Sequence, residues 1–328
     1  MTLRLTRPAL ALSLCAMLLG AGAMALAQKR MTPIGPQWWP SEWGADDQRG
    51  AANRLTPQKV LQANALIKTG KIYQLGRVME EDMPLPGKRR FVMSIPGSPT
   101  HPVGGTNRGV GFDELFTGEI GQLGTQFDGL GHVGCRLEDD DYFYNGFKRS
   151  EFATARGFTK LGIENVGPIF TRGVLVDVAG YKGVERLAAG YVISPADLQN
   201  ALQKQGVEIT PGDAVLIHTG HGRLWKKDNE AFVKGEPGIG RAAAEWLVGQ
   251  KIVLAGSDNW AIEAVPHEDP ALSFPVHNIM LTRNGIYHHE CMDLTQLAAD
   301  RVYEFAYIFS PIRLKGATGS PGNPIAVR

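Results

Sequence analysis

The sequence predicts a single α/β domain built on a mixed β-sheet, and three features of the chain lead there. Short, β-rich apolar runs stand at residues 91–95, 174–178, 214–217, 252–256 and 305–309. Helix signals fall between the later runs: Ser194-Pro195 opens a helix that closes at Lys204-Gln205-Gly206, and residues 241–249 fill another. No Pro/Gly/Ser-rich linker divides the chain after residue 57. Strands alternating with helices cover a sheet with helical layers, which is the α/β arrangement.

The elements follow in order from the N-terminus. Arg4 and Arg7 precede an apolar run over residues 9–26 that ends Ala25-Leu26-Ala27. A positive start, an apolar centre and a small-x-small end predict a secretory signal peptide over residues 1–27, hence an exported protein, periplasmic or secreted. The run is nearly long enough to span a bilayer, but its many Ala and Gly residues favour cleavage over anchoring. Residues 28–56, rich in Trp, Pro and Gly, predict an irregular arm. Thr56-Pro57 is an N-cap followed by Pro at the first helical position, and it opens a helix ending at Gly70. Val60, Leu61, Ala63, Leu66 and Ile67 would be its buried face. Residues 80–110 read as loop around one short strand, and residues 57–328 form the main domain.

Composition excludes several classes. At 328 residues, 43 % apolar and 20 % charged, the chain is an ordinary globular protein with ample core. It carries 34 basic and 33 acidic residues, and the leader removes Arg4, Arg7 and no acid, so the mature net charge is −1. That balance argues against nucleic acid, and against a membrane surface after cleavage, as a partner. No Gly-x-Ser-x-Gly elbow or P-loop is present, so serine-hydrolase and nucleotide-hydrolysis readings lack their anchor. Gly238-Ile-Gly240 has no strand signal before it and reads as a helix start rather than a dinucleotide fingerprint. His218-Thr-Gly-His221 follows a strand signal and reads as ordinary loop polar groups ahead of a metal or substrate site.

All eight histidines lie beyond residue 100, and the densest chemistry is Gln122-Leu-Gly-Thr-Gln126-Phe-Asp128-Gly-Leu-Gly-His132. Gln126, Asp128 and His132 fall within seven residues among glycines. In an extended stretch residues 126 and 128 share a face, because side chains alternate. The alternative is a Gly-rich loop whose Asp and His satisfy local hydrogen bonds; spacing alone leaves both open.

This segment resembles the signature of the cyclase family, which includes bacterial kynurenine formamidases and isatin hydrolases: His-x-Gly-Thr-His-x-Asp-x-x-x-His. Gly124, Thr125, Asp128 and His132 match it, while Gln122 and Gln126 stand where two histidines would be. The likeness extends to Trp43-Gly-Ala-Asp-Asp-Gln-Arg-Gly, Tyr144-Asn-Gly-Phe147, Ser257-Asp-Asn-Trp-Ala-Ile-Glu263, the stretch from His277 to Glu290, and Gly316-Ala-Thr-Gly-Ser-Pro321.

The resemblance implies a swivelling β/β/α domain and a metal-dependent hydrolase that opens a small cyclic or aryl amide, by formamidase- or isatin-hydrolase-like chemistry. It implies Asp128 as central metal ligand, Gln126 and Gln122 at the other motif positions, and His277 with Glu290 as later ligands. His288 and His289 flank Glu290 and compete for the histidine assignment. His132 would be the catalytic acid/base. The metal would be Mn²⁺ or Zn²⁺, one or two ions per subunit; Gln offers only a carbonyl oxygen, which favours the harder ion. Trp43, Phe127 and Trp260 are candidates for an apolar substrate wall, each with a core role as its alternative. Cys135 and Cys291, beside His132 and Glu290, leave a cysteine ligand or a disulfide open. Relatives imply a homo-oligomer, dimer or tetramer. Tryptophan catabolism is the family's usual setting, though export points to an imported or environmental compound. The competing functions are lactone or ester hydrolysis or a cyclisation at the same site, and a non-catalytic periplasmic binding protein.

Overall fold

The computed structural model describes residues 30–96 and 101–328, so the expected leader lies outside the described residues. The described residues fall into two units, one ending at Gln37 and the other Trp38–Arg328. In the first, the described residues form a small hairpin of Met31–Thr32 with Gly35–Pro36. In the second, residues expected to be an irregular arm are packed in: Trp38, Ala51 and Ala52 are buried, and Gly50–Arg54 forms a 3-10 turn.

A nine-stranded mixed sheet organises the large unit. Numbered along the chain, its strands are β1 (Ile72–Gln74), β2 (Gln126–Asp128), β3 (Ile169–Asp177), β4 (Ala214–His218), β5 (Leu254–Ser257), β6 (Tyr287–Glu290), β7 (Glu304–Phe309), β8 (Gly319–Pro321) and β9 (Ile325–Val327). Their spatial order is β8-β2-β6-β5-β4-β3-β7-β9-β1. The four central strands run parallel, and antiparallel strands extend both sides. Strands β4 and β5 are buried throughout, as parallel strands covered on both faces must be. Where β3 passes β7, Gly173 is required: a Cβ there would lie 2.1 Å from the Phe305 ring.

The three longest helices among the described residues are α1 (Pro57–Asn64), α2 (Pro195–Gln205) and α3 (Arg241–Gly249). In α2 the Ser194 hydroxyl accepts from Asp197 N while Asp197 accepts from Ser194 N, a capping box, and Gly206 closes the helix at φ 69°. Helix α1 starts at its predicted cap but stops at Asn64, short of Gly70, and its buried face differs from expectation. Leu61 is 68 % exposed, and Lys59 turns inward instead. The reason is electrostatic: Lys59 Nζ and Arg172 Nη1 pair with the two oxygens of Asp213, which is fully buried.

Strand β2 decides where the chemistry goes. It lies between β6 and β8, in register with His288 opposite Asp128 and Glu290 opposite Gln126. Residues paired across strands share a face, so Gln126, Asp128, His288 and Glu290 stand together on one side. Phe127 and His289 occupy the other side. There Phe127 packs against Tyr287 and Phe309, each with ring centroids 5.1 Å away, and His289 Nδ1 lies 2.6 Å from the Tyr307 hydroxyl. Burial pushes the His289 imidazole down to about 3, so it is neutral.

Candidate metal centre

His277 completes the group on the β2/β6 face. It sits in the helical stretch that begins at Pro275, where Glu263 receives the free amides of Val276 (3.3 Å) and His277 (3.2 Å). A carboxylate at a helix start satisfies orphan N–H groups. The same Glu263 also accepts from His277 Nδ1 at 2.6 Å. This orients the ring so that Nε2 lies 3.7 Å from Asp128 Oδ2 and 3.4 Å from Glu290 Oε1.

Asp128, His277, His288 and Glu290 each offer a ligand atom, all within 4.8 Å of one another, and all four residues are buried. Buried polar groups are nearly always hydrogen-bonded, yet here Asp128 Oδ2, Glu290 Oε1 and both ring nitrogens of His288 have no hydrogen-bond partner. Burial, with Asp128 nearby, pushes the Glu290 carboxyl up to about 7. Burial works against charge on His277, but Glu263 and Glu290 outweigh it and hold that imidazole well above its ordinary value. His288 is driven the other way by burial and by His277 and His132, so it offers a free imidazole. Two carboxylates that draw positive charge into a buried spot, beside two imidazoles, form a donor set suited to a divalent cation. The residues present fit such an ion.

The two glutamines meet this group through its carboxylates. Gln126 Nε2 donates to Glu290 Oε2 and Gln122 Nε2 to Asp128 Oδ1, both at 2.6 Å. Each therefore holds one carboxylate by the oxygen that is not orphaned, which places both expected motif glutamines against the group. His132 stands at the rim, with Nε2 3.8 Å from Asp128 Oδ1 and a side chain 23 % exposed. Burial, then His277 and Arg89 against the pull of Asp128, lowers its pKa.

The other candidates separate cleanly. Phe127 is wholly buried on the opposite face of β2, among core side chains. Trp43 lies under the Arg54 guanidinium, 4.7 Å from its ring centroid, and Arg54 donates to Ile252 O just before β5 begins. Trp260 is connected to the group: its ring is 6.2 Å from Phe274, which is 5.4 Å from His277. Cys135 and Cys291 are both free, and neither belongs to the ligand group. His221, buried at the start of a 3-10 turn, is held by Phe232 O of the helix Asn229–Lys234 at 3.0 Å.

Sequence reasoning left His288 undecided and missed Glu263 and Arg89. Alternation along β6 was the available guide to His288, which must share a face with Glu290. Arg89 lies in an unpatterned loop, and nothing local distinguishes it from Lys88 or Arg90.

The fold and the site define a class first: a mixed-sheet α/β protein with a buried carboxylate–imidazole centre at its sheet face. The Cyclase family profile matches residues 57–264, and on that match the chain belongs to the cyclase family. A crystal structure described as a novel cyclase is 34 % identical, covering 88 % of this chain and 96 % of that one, with a TM-score of 0.77. Isatin hydrolase A from Ralstonia solanacearum shares the fold at 20 % identity, 84 % and 98 % coverage and TM-score 0.58. An isatin hydrolase bound to the product analogue thioisatinate does so at 20 % identity, 83 % and 98 % coverage and TM-score 0.54. No curated protein matches the chain.

Proposed function

We propose that this chain is a metal-dependent hydrolase that opens the C–N bond of a small cyclic or aryl amide. One observation carries the reading: four ligand atoms from Asp128, His277, His288 and Glu290 lie within 4.8 Å, buried and largely without partners. Those four residues would hold the ion, Mn²⁺ or Zn²⁺. A divalent ion bound there lowers the pKa of a water toward neutrality and polarises a carbonyl oxygen.

The chain's own groups do the rest. Gln122 and Gln126 fix the two carboxylates, and Glu263 fixes the orientation of His277. His132, neutral because its pKa is lowered, takes the proton of the attacking water and returns it to the departing nitrogen. Trp260 supplies an apolar wall for a flat substrate.

Export remains our reading of residues 1–27, and no helix among the described residues is long and apolar enough to cross a membrane. We carry homo-oligomerisation forward as a proposal on the exposed apolar side chains of Val92, Met93, Val110, Phe112 and Leu115. Assays of the Mn²⁺- and Zn²⁺-loaded protein against matched aryl amides, lactams and lactones test the reading. Amide or lactam turnover that His132→Ala lowers by about 10²–10⁴-fold supports it. Turnover of lactones alone would replace the C–N reading with ester chemistry, and no turnover of any class would leave a binding protein.

A further inference from the structure

Arg89 lies just before the strand Phe91–Ser94, which pairs with Leu115–Gly118. Its Nη2 donates to Gln122 Oε1 at 2.9 Å, and Gln122 Nε2 in turn reaches Asp128 Oδ1. The guanidinium is therefore one side chain removed from the centre of the ligand group. Its Nη1 is buried and has no hydrogen-bond partner. Among the described residues Arg89 makes no ion pair. Glu119 lies close enough to feel the Arg89 charge, but that carboxylate is exposed and accepts from Arg90 N at 2.7 Å.

A guanidinium stays charged at any working pH and presents a flat fork of donors, so a buried, unmatched N–H on it is costly. Neutralising the two site carboxylates does not explain it: Gln122 stands between Arg89 and Asp128, and Glu290 is held by Gln126. The unpartnered Nη1, beside the group that Gln122 links to Arg89, offers charge-assisted N–H donors that suit a carboxylate.

We infer that Arg89 determines specificity by pairing with a carboxylate on the substrate. The amide opened here is then an acid, such as an N-acylated aminoaryl acid, rather than a neutral amide. The inference rests on the hydrolase reading for its substrate class, and binding tests it independently of turnover.

The test is calorimetric titration of the purified protein, metal-free and Mn²⁺-loaded, with 2-acetamidobenzoate and with acetanilide, which differ only in the carboxylate. The wild type is expected to bind the acid at least about tenfold more tightly, the scale of one charge-assisted hydrogen bond. Arg89→Gln is expected to bring the ratio close to one, and Arg89→Lys, which keeps the charge but loses the fork, to leave an intermediate ratio. A wild-type ratio near one overturns the inference without recourse to any variant. An Arg89→Gln protein with the wild-type ratio overturns it as well. An intact ratio with no hydrolysis of either compound supports the anion site and leaves the hydrolase reading to the wider amide, lactam and lactone assays.

Discussion

Glu263 accepts the Nδ1 proton of His277 at 2.6 Å, and this single bond aims the opposite ring nitrogen at Asp128 and Glu290. Carboxylates behind metal-ligating imidazoles fix the ring and raise its basicity. Glu263→Gln is therefore expected to weaken metal binding by about 10–100-fold while leaving the ligands themselves in place. Competition titration against a chelator measures it, and unchanged affinity would make Glu263 only a helix cap.

Gln126 holds Glu290 by its second oxygen. Gln126→Leu leaves that buried oxygen unpaired, at a cost of roughly 1–3 kcal/mol in the metal-free protein. Urea midpoints of wild type and variant give the number, and a neutral result would show that the amide does not support the carboxylate.

Asp213 is wholly buried between Lys59 and Arg172. Asp213→Ala leaves Lys59 without a carboxylate and Arg172 with Glu304 alone, so a loss of about 3–5 kcal/mol is expected. Denaturant unfolding tests this, and a loss below about 1 kcal/mol, the scale of a surface pair, would contradict the buried network.

His218 and Asp177 predict a pH dependence of stability. Nδ1 of His218 lies 2.7 Å from Asp177 Oδ1. Burial opposes the imidazolium, but Asp177 and Asp258 outweigh it and raise the pKa of His218. Burial likewise opposes the carboxylate of Asp177, yet His218 brings it below its ordinary value. The histidine's contribution is complete below its unfolded pKa of ~6.5 and fades as pH rises through the elevated folded value. The aspartate's contribution is present above ~3.9 and fades as pH falls through its depressed folded value. Asp177→Asn should cost roughly 1–3 kcal/mol near pH 6 and visibly less near pH 9. Equal losses in melting temperature at the two pH values would contradict the pairing.

What the sequence made legible follows from how local its causes are. Helix α2 was readable to the residue because Ser194, Pro195 and Gly206 carry their boundaries within themselves. Strands β3, β4, β5 and β7 were readable as apolar runs, although β3 starts earlier, at Ile169. The alternation that placed residues 126 and 128 together also turns Phe127 to the other face of β2. Glu263 and Arg89 were not legible, because their roles depend on the distant His277 and Gln122. Lys59 escaped for the same reason: its partner Asp213 is 154 residues away.

In the proposed function Asp128, His277, His288 and Glu290 together hold a divalent cation. Elemental analysis of the protein after Mn²⁺ or Zn²⁺ loading and dialysis addresses it directly, with Asp128→Ala alongside. We expect at least one ion per chain in the wild type and its loss in the variant. A wild-type chain that takes up neither metal, or an Asp128→Ala chain that retains a full ion, would contradict the account.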